Sequence, residues 1–179
     1  MKWPHVTAMA FGVLCIAGCV TSRGVQPALE YRHYVSPVYH WEVAYPDGWT
    51  LDSSDSYLVK INAPSTLPFA LVGIHSRDRV VAQTLHEVAN IYLAAWTRDT
   101  TQRGTKSELV SRRSATLRDG TPMIQVEHLI GTGLVGKSRK VIVVAHGRTF
   151  ILDAESYLTS WDQLEPYFDR ILTSFTVNR

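Results

Sequence analysis

Between residues 108 and 154 the chain offers four runs of strand composition, 108–117, 123–130, 140–146 and 149–154. They are joined only by Asp119-Gly120, the stretch 131–137 and Gly147-Arg148. A parallel neighbour needs a crossover of about a dozen residues, usually a helix. None of these joints carries a helical pattern, so the runs are expected to pair as antiparallel hairpins. A doubly wound parallel sheet is excluded by the same spacing.

That constraint decides how residues 131–138 are read. Gly-Thr-Gly-Leu-Val-Gly-Lys-Ser fits both G-x-G-x-x-G and G-x-x-x-x-G-K-[ST], the patterns of dinucleotide and phosphate loops. Both mechanisms need a helix directly behind the glycines, whose N-terminal dipole end faces the phosphate. Here Ser138 is followed by Arg-Lys-Val-Ile-Val-Val-Ala, a β-branched run that reads as strand. Phe150-Ile151-Leu152-Asp153 imitates the Mg²⁺-holding partner strand, but it follows Ser138 too soon for a crossover helix and a strand to intervene. The stretch is expected to be a glycine-rich hairpin loop that binds no nucleotide.

Upstream, Tyr39, Trp41, Val43 and Tyr45 alternate with His40, Glu42 and Ala44, the period of a strand with one buried face, and Pro46-Asp47-Gly48 turns the chain. Residues 57–63 and 69–75 are further strand candidates, with Pro64 and Pro68 between them. Leu85, Val88, Ala89, Tyr92, Leu93 and Trp96 recur instead at helical spacing, and Thr84 with Glu87 supplies a capping box. A second stripe, Leu164, Tyr167, Phe168, Ile171, Leu172 and Phe175, predicts a closing helix. Pro166 is tolerated only in a first turn, which puts the start of that helix close to Leu164.

Residues 1–18 read as an export signal: Lys2 near the start, an apolar run over 6–16, then the small residues Ala17 and Gly18, too short to span a bilayer. The ending Ile16-Ala17-Gly18-Cys19 resembles a bacterial lipobox, so Cys19 is expected to be acylated and to become the first mature residue; an ordinary secretory signal is the alternative. Cys15, the other of the 2 cysteines, would be removed, leaving no disulfide and no thiol nucleophile. A lipobox cysteine is expected to carry more than one acyl chain, as stable anchoring requires. Val20 in place of Asp implies sorting to the outer membrane, facing the periplasm. Residues 19–37 read as the lipidated Cys and a flexible tether, and 38–179 as one domain.

The formal net charge is +2, and loss of Lys2 with the signal lowers it to +1, which leaves no electrostatic footprint for nucleic acid. Arg77-Asp78-Arg79, Arg112-Arg113 and Arg139-Lys140 are short clusters expected at solvated edges or turns. His86-Glu87-Val88-Ala89-Asn90 opens like a zinc-protease motif but has Asn where the second ligand must sit, and no G-x-S-x-G elbow occurs. His75, His128 and His146 would make a metal site with Asp153 or Glu155 only if folding brought them together; isolated strand histidines are the favoured reading. Trp41, Trp49, Trp96 and Trp161 are expected in the core or as lids. No catalytic residue, metal or cofactor is expected, and the chain is read as a non-enzyme.

The turn Tyr45-Pro46-Asp47-Gly48-Trp49, the central amphipathic helix, the Asp-Gly hairpin and the closing run Phe168-Asp169-Arg170-Ile171-Leu172-Thr173-Ser174-Phe175 resemble the PsbP family, named for an extrinsic photosystem II protein, over residues 34–177. The resemblance implies an α+β fold, an α/β/α sandwich with a central, mainly antiparallel sheet. It also implies kinship with bacterial envelope lipoproteins of the DcrB type and a non-enzymatic role in docking on, or assembling, a membrane-associated complex. No catalytic residue carries over. The expected function is a lipid-anchored envelope binding or assembly module with an envelope protein as partner; the alternative is a small-ligand or metal-binding periplasmic domain. Loops on rigid scaffolds carry recognition, so Leu134 and Val135, flanked by Lys137 and Arg139, are the expected partner-binding loop.

Overall fold

A computed structural model describes residues 30–55, 58–78 and 84–178. The expected signal segment and Cys19 lie outside the described residues. The four runs between 108 and 154 become β6 (Ser107–Thr116), β7 (Pro122–Ile130), β8 (Gly136–Ala145) and β9 (Arg148–Tyr157), each antiparallel to the next. The β8–β9 joint is a two-residue turn, His146-Gly147, with φ of 48° and 74°, the left-handed pair that suits the twist of a tight hairpin.

These strands form one side of a seven-stranded sheet ordered β3-β4-β5-β9-β8-β7-β6. The other side is β3 (Thr50–Asp55), β4 (Leu58–Asn62) and β5 (Ala70–Asp78), and every pairing is antiparallel. Helix α1 (Leu85–Gln102) covers one face, packing Val88 and Ala89 on Ile124, Val126, Ile142 and Ile151. Its predicted capping box is present, with Thr84 N donating to Glu87 Oε2 at 2.8 Å and Glu87 N donating to Thr84 Oγ1 at 3.3 Å. Helix α2 (Trp161–Ser174) covers the opposite face with a small sheet, β1 (Tyr31–Val35), β2 (Trp41–Pro46) and β10 (Thr176–Val177), in the order β1-β2-β10. The architecture is an α+β sandwich around a central antiparallel sheet, as expected.

The larger core lies on the α2 face, where Val141, Val143, Phe150 and Leu152 of the sheet meet Trp161, Leu164, Phe168 and Ile171 of α2. Trp41 joins the small sheet to the large one: its ring is fully buried, lies 5.7 Å from that of Phe175, and its Nε1 donates to Ser76 Oγ at 3.0 Å. An indole buried with its donor satisfied is one of the stronger anchors a core of this size can hold.

Three local expectations change. Tyr31–Val35, assigned to the tether, is paired with β2 over its whole length, because tertiary pairing overrides the weak local pattern. Thr50–Asp55 is a strand despite its turn-like composition, and its mostly exposed polar side chains suit the sheet edge it occupies. Helix α2 starts at Trp161 rather than near Leu164. Burial of Trp161 and Leu164 holds that first turn, while Pro166 and Asp162 both face solvent, so water can take the carbonyl that lacks a donor.

Candidate functional site

The β7–β8 loop, residues 131–135, opens into β8 rather than into a helix. Its turn uses left-handed backbone at Gly131, Gly133 and Leu134, with φ of 100°, 82° and 55°. The loop is pinned on both flanks: Gly131 N donates to Lys106 O at 3.1 Å, and Leu158 N donates to Val135 O at 2.8 Å. Gly136 is required where the loop enters the strand, since a Cβ there would stand 2.9 Å from Ile130 Cγ1. Both ends of the loop are thus tied to the scaffold.

Register places three further apolar side chains beside it. Gly136 pairs with Tyr157, Leu158 follows, and the Phe69 and Tyr157 rings meet at 5.7 Å. Val135, Tyr157, Phe69 and Leu158 are 58%, 54%, 52% and 44% exposed, and together they make an apolar surface at one end of the large sheet. Leu134 is half-buried beside it. The described chain begins at this same end: Asp47 N donates to Glu30 O at 2.8 Å, β3 starts at Thr50, and Thr50 lies two strand spacings, roughly 10 Å, from Leu71 of β5.

Lys137 and Arg139, expected to flank the tip in the partner-binding loop, face α2 instead. Lys137 Nζ is 3.3 Å from Glu127 and 4.6 Å above the Trp161 ring. Arg139 is 6% exposed; its Nε donates to Glu127 Oε1 at 2.7 Å, and its two terminal nitrogens are paired with Asp169 and Glu165 of α2. Burial opposes the Arg139 cation, but the bonds from Glu165 and Glu127 outweigh it and raise its pKa further. The Arg139-Lys140 pair is therefore not a solvated edge. Strand β8 is interior to the sheet, and both cations are buried and paired.

On the α1 face, Lys140 is fully buried and paired with Asp153, whose Oδ1 accepts from Ser138 Oγ at 2.7 Å. The Trp96 ring lies 4.5 Å from its ammonium, which burial lowers to about 8 against the pull of Glu155. His128 packs on Trp96 at 4.5 Å, and its buried Nδ1 has no partner among the described residues. Burial first, then Lys140, brings its pKa to about 4; burial and then Arg77 do the same for His75. His75 on β5 and His128 on β7 share this face, but β9 and β8 separate them by at least roughly 14 Å, and the Lys140 cation stands between. His146 sits in the β8–β9 turn. No three His, Cys, Asp or Glu side chains among the described residues come together to hold a metal ion.

Sequence reasoning found the loop but missed Phe69, Tyr157 and Leu158. Each sat inside or beside a strand pattern, and only the register that sets Tyr157 against Gly136 groups them.

No protein-family model and no curated protein matches the sequence. Solved structures do. The chain is similar to CyanoP, the cyanobacterial PsbP of Synechocystis sp. PCC 6803, with a TM-score of 0.68 and 16% identity, covering 87% of this chain and 96% of that one. It is similar to the Ran-binding protein Mog1p of Saccharomyces cerevisiae, with a TM-score of 0.59 and 11% identity, covering 84% of this chain and 96% of that one. It is also similar to PA94 of Pseudomonas aeruginosa, a putative regulator of unknown function, with a TM-score of 0.52 and 14% identity, covering 84% and 98%. The fold is that of the PsbP and Mog1 proteins.

Proposed function

We propose that the chain is a non-enzymatic binding or assembly module of the bacterial envelope, anchored through Cys19 and offering the surface of Phe69, Val135, Tyr157 and Leu158 to a membrane-associated protein. That surface is the observation that carries the reading. Contiguous exposed apolar side chains with aromatic members mark recognition sites more often than free solvent faces. The surface also shares an end with Glu30, and the 11 residue steps from Cys19 to Glu30 reach at most roughly 40 Å when extended. An anchored domain would therefore hold it near the bilayer, in the periplasm if the anchor is in the outer membrane. The fold neighbour Mog1p is a Ran-binding protein, so protein recognition is within the range of this architecture.

The test is recovery of partners from intact cells. A Phe69→Ser/Val135→Ser/Leu158→Ser variant should lose a reproducible envelope partner while keeping its melting temperature, because all three side chains are exposed. Retention of the same partner by the triple variant would contradict the assignment of this surface.

A further inference from the structure

Helix α1 is narrower than the sheet it covers. It packs mainly on β6, β7 and β8, and the flank towards β5 stays open. A cleft of about 440 Å³ runs along that flank, lined by His75, Arg77, Tyr92, Trp96, Asp153 and the Asp99–Arg103 pair. It adjoins a more apolar pocket of about 140 Å³ that shares Arg77 and Tyr92 and is lined further by Val88, Ile91 and Ile151, with Asp78 and Thr149 at its polar side. Trp96 is held from below by Lys140 and His128, so it forms a fixed wall.

The charges in the cleft are unequal in their engagement. Asp99 is paired with Arg103 at 2.9 Å, and Asp153 with Lys140 and Ser138. Arg77 has no ion-pair or hydrogen-bond partner among the described residues, and neither the Tyr92 hydroxyl nor the His75 ring has a hydrogen-bond partner there. Burial holds the Tyr92 hydroxyl protonated, with its pKa up to about 12, so it is a donor at neutral pH. The charges acting on His75 are mostly positive, Arg77, Lys140 and Lys60 against Asp55. The acids are thus spoken for, Asp78 by Arg148 at 2.8 Å, while Arg77 and Tyr92 each have a donor to offer, and a more apolar pocket begins where the free guanidinium stands.

We propose that this groove binds a small amphipathic carboxylate, its carboxylate held by the Arg77 guanidinium and the Tyr92 hydroxyl and its apolar body in the pocket of Val88, Ile91 and Ile151. The planar fork of Arg suits two carboxylate oxygens at once, and a neutral body that leaves the acids undisturbed costs no further desolvation of charge. The site is separate from the surface of Phe69 and Val135, and neither depends on the other.

Hexanoate is a suitable probe, with hexylamine and hexanol as charge controls, titrated into the full chain in detergent and followed by calorimetry and by the NMR signals of Tyr92, Trp96 and Ile151. Hexanoate should bind saturably and shift all three. Arg77→Gln should weaken it about tenfold or more, as expected for loss of a charge-assisted pair, without lowering the melting temperature, and Arg77→Lys should recover part of the loss. Arg112→Gln, which removes an exposed cation bonded to Asn90 on the β6 side of α1, away from the cleft, should leave affinity within about twofold. Equal binding of hexylamine or hexanol, an unaffected Arg77→Gln variant, or no saturable shift with hexanoate would each overturn the proposal.

Discussion

Lys140 offers a test of how the α1 face is held together. The side chain is fully buried and Asp153 is 12% exposed at its side chain, so each charge depends on the other for compensation. Asp153→Asn keeps the acceptor for Ser138 Oγ but leaves the ammonium without its main counterion. Breaking a buried pair from one side costs about 3–5 kcal/mol, which for a domain of this size is a fall in melting temperature of about 10 °C or more. Lys140→Met removes the cation and keeps the length, leaving a carboxylate that still has Ser138 and partial solvent; its cost should be smaller, about 2 kcal/mol. The double variant has no buried charge at this position and should be less destabilised than the sum of the single variants by about 2 kcal/mol or more. The same burial gives a pH signature. The folded-state pKa lies below the unfolded value of 10.5, so the unfolded chain holds the proton longer, and native stability should rise as pH increases from about 8 towards 10.5. Urea denaturation of the four proteins at pH 7.5 and 10 measures both effects. Additive single-variant losses would refute the pairing, and a wild-type protein whose stability does not rise in that window relative to Lys140→Met would refute the burial of the ammonium.

Acid should act through His75 and His128. Both are held neutral with pKa values lowered from 6.5 to about 4, so the unfolded chain binds protons first; the stability their neutrality preserves is complete above 6.5 and is lost as pH falls towards 4. His128→Leu should flatten that acid limb by on the order of 2 kcal/mol in denaturation curves at pH 4.5 and 7. Gly136→Ala should cost about 1–3 kcal/mol, because its Cβ would meet Ile130 at 2.9 Å, and the loss should show as faster amide exchange of Leu158 N–H. Intact-mass analysis of the membrane fraction should find lipid on Cys19 at the mature N-terminus, and Cys19→Ser should release or leave uncleaved protein; a soluble mature chain that begins after Cys19 would contradict the anchor.

The layers of the fold were legible because two periods dominate the chain. The helical stripe from Leu85 to Trp96 and the short joints between 108 and 154 left little choice but one face-covering helix and a run of hairpins. What local pattern could not carry is β1 and β3. Tyr31–Val35 and Thr50–Asp55 are strands because β2 and β4 supply their ladders, and Thr-Leu-Asp-Ser-Ser-Asp by itself reads as turn. The candidate site divided in the same way. Leu134 and Val135 announced themselves through the glycines around them, whereas the burial of Lys137 under Trp161 and of Arg139 under Glu165 and Asp169 depends on a helix more than twenty residues away. Phe69 and Tyr157 needed strand register to be seen as neighbours, and the groove beside Arg77 needed the width of the sheet relative to α1.

A photo-crosslinking residue placed at Val135 or Tyr157 in living cells, with Val38, exposed on another part of the surface, as the control, reads out whether the end of the sheet around Val135 is a protein-docking face. A discrete crosslinked envelope protein of the same mass is expected from Val135 and Tyr157 and none from Val38. Identical products from all three positions, or none from Val135 and Tyr157, would contradict it.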